Sequence, residues 1–341
     1  MVRTMSLLRS AVRTARMIRH TPRLSDGLVP DASVLLDAPD DRLGPALVAA
    51  ARGAYEGAAS LLAATRVSAE WENRDRYVRR LSAFARSRDG WLADWLASAP
   101  RDPDALLLKA QLAVDRAWVS PAHAERLREV GPLIDAAARA ESADPVPWRL
   151  ALDHARGTHA PHGAFEALWG EAVRRSPHHY GCHVSALTYL SAQWYGSHRE
   201  CFDFAERAAS DSLPGSLVRA LPARAAFTQL LTGEPATSVQ RERIETAADL
   251  AIEVSADYAP GDPWPAEVRN LLAHVLVTRG RWRDALEQFR RIGPYATSFP
   301  WSSVTDDPLG QFLRARDGVR IEVACGIPLR GVRAGSGGHY A

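Results

Sequence analysis

The chain has 341 residues, 46% of them apolar and 24% charged, with a formal net charge of +2. These are the values of a globular protein, and they exclude a largely disordered chain and a generic polyanion binder. Three cysteines, Cys182, Cys201 and Cys325, are too few and odd in number for a disulfide framework, and no run of 18 apolar residues is present to span a membrane.

The N-terminal end differs from the rest. Residues 1–25 hold six arginines and no acid, which leaves the remainder slightly acidic. Met5, Leu8 and Val12 share one face of a helix predicted over residues 5–20. Residues 1–30 read as a basic N-terminal helix or arm. Such a segment either caps the structure that follows or meets an anionic lipid, a nucleic acid or an acidic partner. Lys109 is the only lysine against 41 arginines. That is the usage of a GC-rich genome, as in many bacteria, rather than selection for guanidinium chemistry.

Helical punctuation then repeats along the chain. Gly53, Tyr55, Ala58 and Leu62 stand at the same offsets as Gly280, Trp282, Ala285 and Phe289 in the stretch RNLLAHVLVTRGRWRDALEQFRRI (269–292). The glycine ends a first helix because it tolerates positive φ, the aromatic covers the turn, and the apolar steps of four and three line one face of a second helix. The same step recurs at Trp91, Trp95 and Ser98, at Leu133, Ala137 and Ala140, and at Phe165, Trp169 and Ala172. Phe202, Glu206 and Ala209 follow it with one polar exception, and Ala248, Ile252 and Ser255 follow it loosely. Each step is followed five residues on by a proline, Pro103, Pro145, Pro177, Pro214 or Pro260, which marks the end of the second helix.

Beyond residue 292 the pattern changes. Residues 293–310 read as a loop that folds back over the last hairpin through Pro300 and Trp301, with Asp306 or Asp307 capping the helix that follows. VRIEVACGIPL (319–329) is the one segment that fits a strand, and it equally fits the end of a helix. Residues 326–341 are rich in glycine and read as a flexible tail.

The order of glycine, aromatic, alanine, large apolar residue, small residue and proline resembles the tetratricopeptide repeat (TPR). Residues 266–297 carry the resemblance best, with Ala273 at the small position of the first helix and Ala285 and Phe289 in the second. Residues 146–177 come next, and most of 43–297 is covered. The chain is also similar to bacterial families built from such repeats, which adds no chemistry. The resemblance implies an all-α fold, an α-solenoid of stacked antiparallel helix pairs forming a TPR-like superhelix, over residues 31–325. Hairpins too short to bury their own apolar faces gain stability by stacking.

In such a stack the first helices line a concave face. Projecting the register places Asn73, Arg76 and Arg80 there in one unit and His154 in another. Trp194 and Tyr195 end a third first helix, and Asn270 and His274 lie in the last. Arginine and asparagine grip carboxylates and peptide amides, and exposed aromatics give anchoring area. Arg76 and Arg80, four apart, form the leading anion contact. The carboxylate-clamp residues of the family are not reproduced, so a chaperone-tail ligand is not implied.

Six of the eleven histidines fall between His154 and His183. His178 and Cys182, His179 and His183, and His198 and Cys201 are spaced to share helix faces, yet no established zinc spacing is present. Phosphate-binding glycine loops, nucleophile elbows and HExxH patterns are missing. The expectation is a cytoplasmic, non-enzymatic scaffold that binds a protein or peptide, with no cofactor and no metal. The alternatives are a regulatory adaptor tethered to membrane or nucleic acid by the basic arm, and a metal-dependent enzyme using segment 154–201.

Overall fold

The structure, a computed structural model, describes residues 2–233 and 237–327, with side chains from Ser10 onward except that of Ser238. The expected flexible tail lies, but for its first two residues, outside the described residues. In chain order, α1 (Val2–His20), two short 3-10 turns (Pro22–Ser25, Asp31–Ser33) and strand β1 (Leu35–Leu36) precede a long helical series. That series is α2 (Leu43–Ala51), α3 (Glu56–Val67), α4 (Trp71–Ala85), α5 (Gly90–Ser98), α6 (Pro103–Trp118), α7 (His123–Ala140), α8 (Val146–Gly157) and α9 (His162–Arg175). It continues with α10 (Tyr180–Tyr189), α11 (His198–Asp211), α12 (Leu221–Leu231) and α13 (Ser238–Ala256). The chain then forms α14 (Ala266–Thr278), α15 (Trp282–Ile292), β2 (Tyr295–Ala296), α16 (Ser298–Trp301) and α17 (Pro308–Gly326). Among the described residues the fold is therefore all-α apart from one parallel pair, in which Leu35 faces Tyr295. Among the described residues no helix is long and apolar enough to cross a membrane.

The chain divides into two compact units, one of Pro39–Val254 and the other of Met1–Ala38 with Ser255–Ala341. In the first, helices adjacent in sequence pack together: α2 on α3, α6 on α7, α7 on α8, α8 on α9 and α11 on α12. The predicted steps of four and three face inward at their larger positions, while Ser98, Ala140 and Glu206 are exposed. Trp95, Ala137, Phe165, Ala172 and Phe202 are buried on α5, α7, α9 and α11. Pro177, Pro214 and Pro260 fall in the turns just past α9, α11 and α13, as expected, whereas Pro103 and Pro145 stand at the start of the next helix. Pro103 is the first residue of α6, and Asp102 before it accepts from the amides of Asp104 (2.9 Å) and Ala105 (3.0 Å). A proline there loses no helical hydrogen bond.

The inner side of this unit departs from an open groove. Helix α4 packs not only on α3 and α6 but also on α8 and α10, whose contacting residues stand 74 and 108 positions further along. Charged side chains fill the space between them. Arg74, fully buried, reaches Asp144 (2.6 Å), Asp104 (2.7 Å) and the Leu62 carbonyl (2.9 Å). Arg149 on α8 donates to Asp75 on α4 (2.7 and 3.0 Å), to Gln111 on α6 and to Asp153 (3.2 Å). The α10 end closes the array: the Tyr180 amide donates to Glu72 (2.6 Å), and the His179 ring lies 3.4 Å from the Trp71 carbonyl. A buried charge is tolerated only when paired and hydrogen-bonded, so each of these groups fixes the helix opposite.

In the second unit α14 packs on α15, α15 on α17, and α1 along α17. Phe289, Trp301 and Phe312 meet at its centre. Trp301 therefore folds back as expected, and Asp307 caps α17 by accepting from the Gly310 amide at 2.9 Å. Residues 319–326 are helical rather than a strand. Gly280 has φ +71°, the left-handed value its place after α14 requires. Arg269, fully buried, donates to the carbonyls of Ser255 (2.8 Å), Tyr258 (2.8 Å), Ala259 (2.9 Å) and Arg291 (3.1 Å). One guanidinium thus satisfies carbonyls at the ends of two helices. Burial, with Arg291 adding to it, lowers its pKa to about 10.

Candidate functional site

The groove residues expected from the repeat register are scattered by the structure. Asn73 and Arg76 are half-buried on α4, and their polar groups are already engaged within the unit. Arg76 pairs with Asp40 and donates to Asn73 (3.2 Å), while Asn73 donates to Glu70 (3.0 Å). Asp40 also accepts from the Tyr77 hydroxyl at 2.9 Å. The anion that Arg76 and Arg80 were expected to meet is, for Arg76, a residue of the same unit. Arg80 lies half-buried one turn on. Hydrogen bonds from Arg42, Asn73 and Ser68 hold the Glu70 carboxyl down to about 2, so this corner is a charged network at neutral pH.

His154 does not face a groove. Its ring packs against Leu127 and Gly131 of α7, and burial lowers its pKa despite the Leu127 backbone. Asn270 is fully buried, and its amide is wholly used. It donates to the carbonyls of Ala266 (2.8 Å) and Tyr295 (3.0 Å) and accepts from the Trp301 indole (2.9 Å). His274, one turn on, is half-buried with its ring centroid 5.5 Å from that of Trp301, and burial lowers its pKa. Both are packing residues of the second unit. Helical periodicity assigns a side to a helix but not the partner that covers it, and here β2 and α16 cover it.

Trp194 and Tyr195 take a different place. They lie in the turn between α10 and α11, beside the α6–α7 and α8–α9 turns. The Arg156 guanidinium, at the end of α8, is held between two indoles, 4.5 Å from the Trp118 ring and 4.6 Å from the Trp194 ring. Those rings meet edge to face with centroids 5.8 Å apart, and His123 stacks on Trp118 at 5.6 Å. The Tyr195 hydroxyl lies 2.6 Å from His159 Nδ1 and 3.1 Å from the Arg156 carbonyl. His159, exposed, has φ +60°, which turns the chain sharply between α8 and α9. Tyr195 is 40% exposed and Val119, next to Trp118, is 69% exposed.

Three successive hairpin turns thus deliver aromatic rings to one surface. Cation–π contacts hold Arg156 beside both indoles and tie the rings together, leaving part of the rings toward solvent. Burial raises the Tyr195 pKa, opposed by Arg156, so its hydroxyl stays protonated and able to donate at neutral pH. Trp118, Arg156 and His159 were not read from the sequence as members of this site. The available signal was an aromatic or histidine at the same point of three consecutive hairpins.

The histidine-rich segment serves the helices it lies on. His179 caps α10, its Nδ1 accepting from the Cys182 amide at 3.1 Å. His183 bonds the His179 carbonyl at 2.9 Å, and burial lowers its pKa to about 4. Cys201 reaches the carbonyls of Leu190 (3.2 Å) and Leu187 (3.5 Å), and burial pushes its thiol up to about 12. Among the described residues no group of three or more histidines, cysteines or carboxylates is placed to hold a metal ion. A surface hollow of about 390 Å³ between α11, α12 and α13 includes Glu206, Ser210 and Leu250, but Glu206 is already bonded twice by Arg243 at 2.8 Å.

Comparisons with protein-family models, with curated proteins and with solved structures find no match to this chain.

Proposed function

We propose that the chain is a non-enzymatic scaffold, built as a TPR-like stack of helical hairpins, that binds a protein or peptide through the aromatic surface around Arg156. The observation that carries this reading is the convergence of Trp118 and Trp194, from separate turns, on the Arg156 guanidinium, with Tyr195 beside Trp194 and the rings left part-exposed. Rigid aromatics and arginine are the side chains that dominate binding hot spots, because they bring large area at little entropic cost. The pairing of sequence-adjacent helices supports the stacked-hairpin reading. The charge-filled space between α4, α8 and α10 is why the docking surface is placed on the turns rather than on an inner groove.

The test is affinity capture from the source organism with the parent chain, a Trp194→Ala/Tyr195→Ser variant and an Asn73→Ala variant. A specific partner should be kept by the parent and by Asn73→Ala. It should be lost by the aromatic variant, with affinity for the purified partner falling about thirtyfold or more. The reverse pattern would return the site to the α4 face.

A further inference from the structure

We propose that the outward face of α1, with the turn that follows it, is a seat for an anionic lipid bilayer surface. The surface is separate from the aromatic one and lies in the other unit. The inward side of the helix is occupied. Arg13 pairs with Glu322 at 2.5 Å, and Arg16 donates to the Cys325 carbonyl at 3.1 Å, so two arginines grip the last turn of α17. Cations there complement the exposed carbonyls and the negative end of the helix dipole.

What remains outward has another character. Ile18 is 69% exposed, and Ala11 and Ala15, at steps of four and three before it, are exposed on the same side. Arg19 and Arg23 are exposed with no hydrogen bond or ion pair among the described residues. No acidic residue precedes Asp26. The result is a narrow apolar strip with Arg19 along one side, Thr14 on the other and Arg23 just past the end, on a helix already anchored from behind. Such a helix lies flat in the headgroup region, drawn by the negative surface and held by shallow insertion of its apolar strip. A nucleic acid would also use the arginines but would gain nothing from an isoleucine and two alanines beside them. The lipid surface uses both.

Co-sedimentation of the full chain with vesicles tests this, comparing pure phosphatidylcholine with a mixture containing one-third phosphatidylglycerol. The expected result is binding to the anionic vesicles alone, weakening as salt is raised. Arg19→Gln/Arg23→Gln should lower the partition coefficient about tenfold or more, and Ile18→Ser about threefold or more. Arg19→Lys/Arg23→Lys should retain binding, and the charge-matched pair Arg128→Gln/Arg207→Gln, exposed in the other unit, should match the parent within about twofold. Circular dichroism of each variant checks that helix content is kept. The proposal is overturned by absence of binding, by equal binding to neutral vesicles, or by equal loss in the two glutamine pairs. A short DNA duplex that binds more tightly and strips the protein from anionic vesicles overturns it in favour of nucleic acid.

Discussion

Arg149 on α8 donates to Asp75 on α4 at 2.7 and 3.0 Å across 74 positions of sequence, with both side chains almost closed to solvent. This pair joins helices that are distant in the chain. Arg149→Met removes the cation and leaves Asp75 buried with only Arg79, at 3.4 Å. Breaking one side of a buried pair costs about 3–5 kcal/mol, because the remaining charge stays desolvated. Urea unfolding of the variant should show that loss. In a double-mutant cycle with Asp75→Asn, the double variant should be less destabilised than the sum of the singles. A loss of under about 0.5 kcal/mol in Arg149→Met would show that the pair contributes nothing net.

Gly181 offers a test whose sign is diagnostic. It lies in the first turn of α10, where alanine normally favours a helix over glycine by about 1 kcal/mol. A Cβ placed there would stand 2.2 Å from the Asp75 carboxylate. Gly181→Ala should therefore destabilise by about 1–3 kcal/mol, as overpacking does. Thermal unfolding that showed a more stable variant would mean that α10 does not press on the Asp75–Arg149 pair.

These two residues mark the line between what the sequence discloses and what it does not. Steps of four and three placed α5, α7, α9, α11 and α15 and turned most of their large apolar residues inward, because helix periodicity is a local property, though Ser98, Ala140 and Glu206 of those steps face out. Arg74, Asp75, Asp104, Asp144 and Arg149 carry no local sign of burial. A charge within a helix ordinarily reads as solvated surface, and only the approach of α4 to α8 and α10 buries these. The same non-local packing moved the site. Trp194 and Tyr195 were legible as exposed aromatics at a helix end. Trp118 and Arg156 joined them only because three hairpin turns come to lie side by side.

Acid should unfold the chain partly through Asp75. Burial opposes its charge, but Arg149 and Arg79 outweigh that and hold the carboxyl far below the usual range. The unfolded aspartate titrates near about pH 3.9, so above that value both states are charged and the stabilisation is complete. Below it the unfolded state takes up the proton first, and stability is lost as the pH falls toward the folded value. Unfolding free energy measured from neutral pH downward should fall more steeply below about pH 4 in the parent than in Asp75→Asn. Parallel curves would assign the acid sensitivity to other carboxylates.

Asn270 separates a groove residue from a packing one. Its side chain has three partners, and two of them need it as a donor: the Ala266 and Tyr295 carbonyls accept, while Trp301 donates to it. Asn270→Ala leaves the buried Trp301 indole without an acceptor and the Tyr295 carbonyl without this donor. It should cost about 2–4 kcal/mol of stability. Asn270→Asp keeps an acceptor for Trp301 but loses both donated bonds and buries a charge without a cation. It should cost at least as much at neutral pH and recover as the pH falls and the carboxyl protonates. Neither variant, where folded, should weaken a partner that binds at Trp194 and Tyr195, since Asn270 presents no polar atom to solvent. A variant that stayed fully stable yet lost the partner would restore Asn270 to a binding face and would contradict its place beneath Trp301.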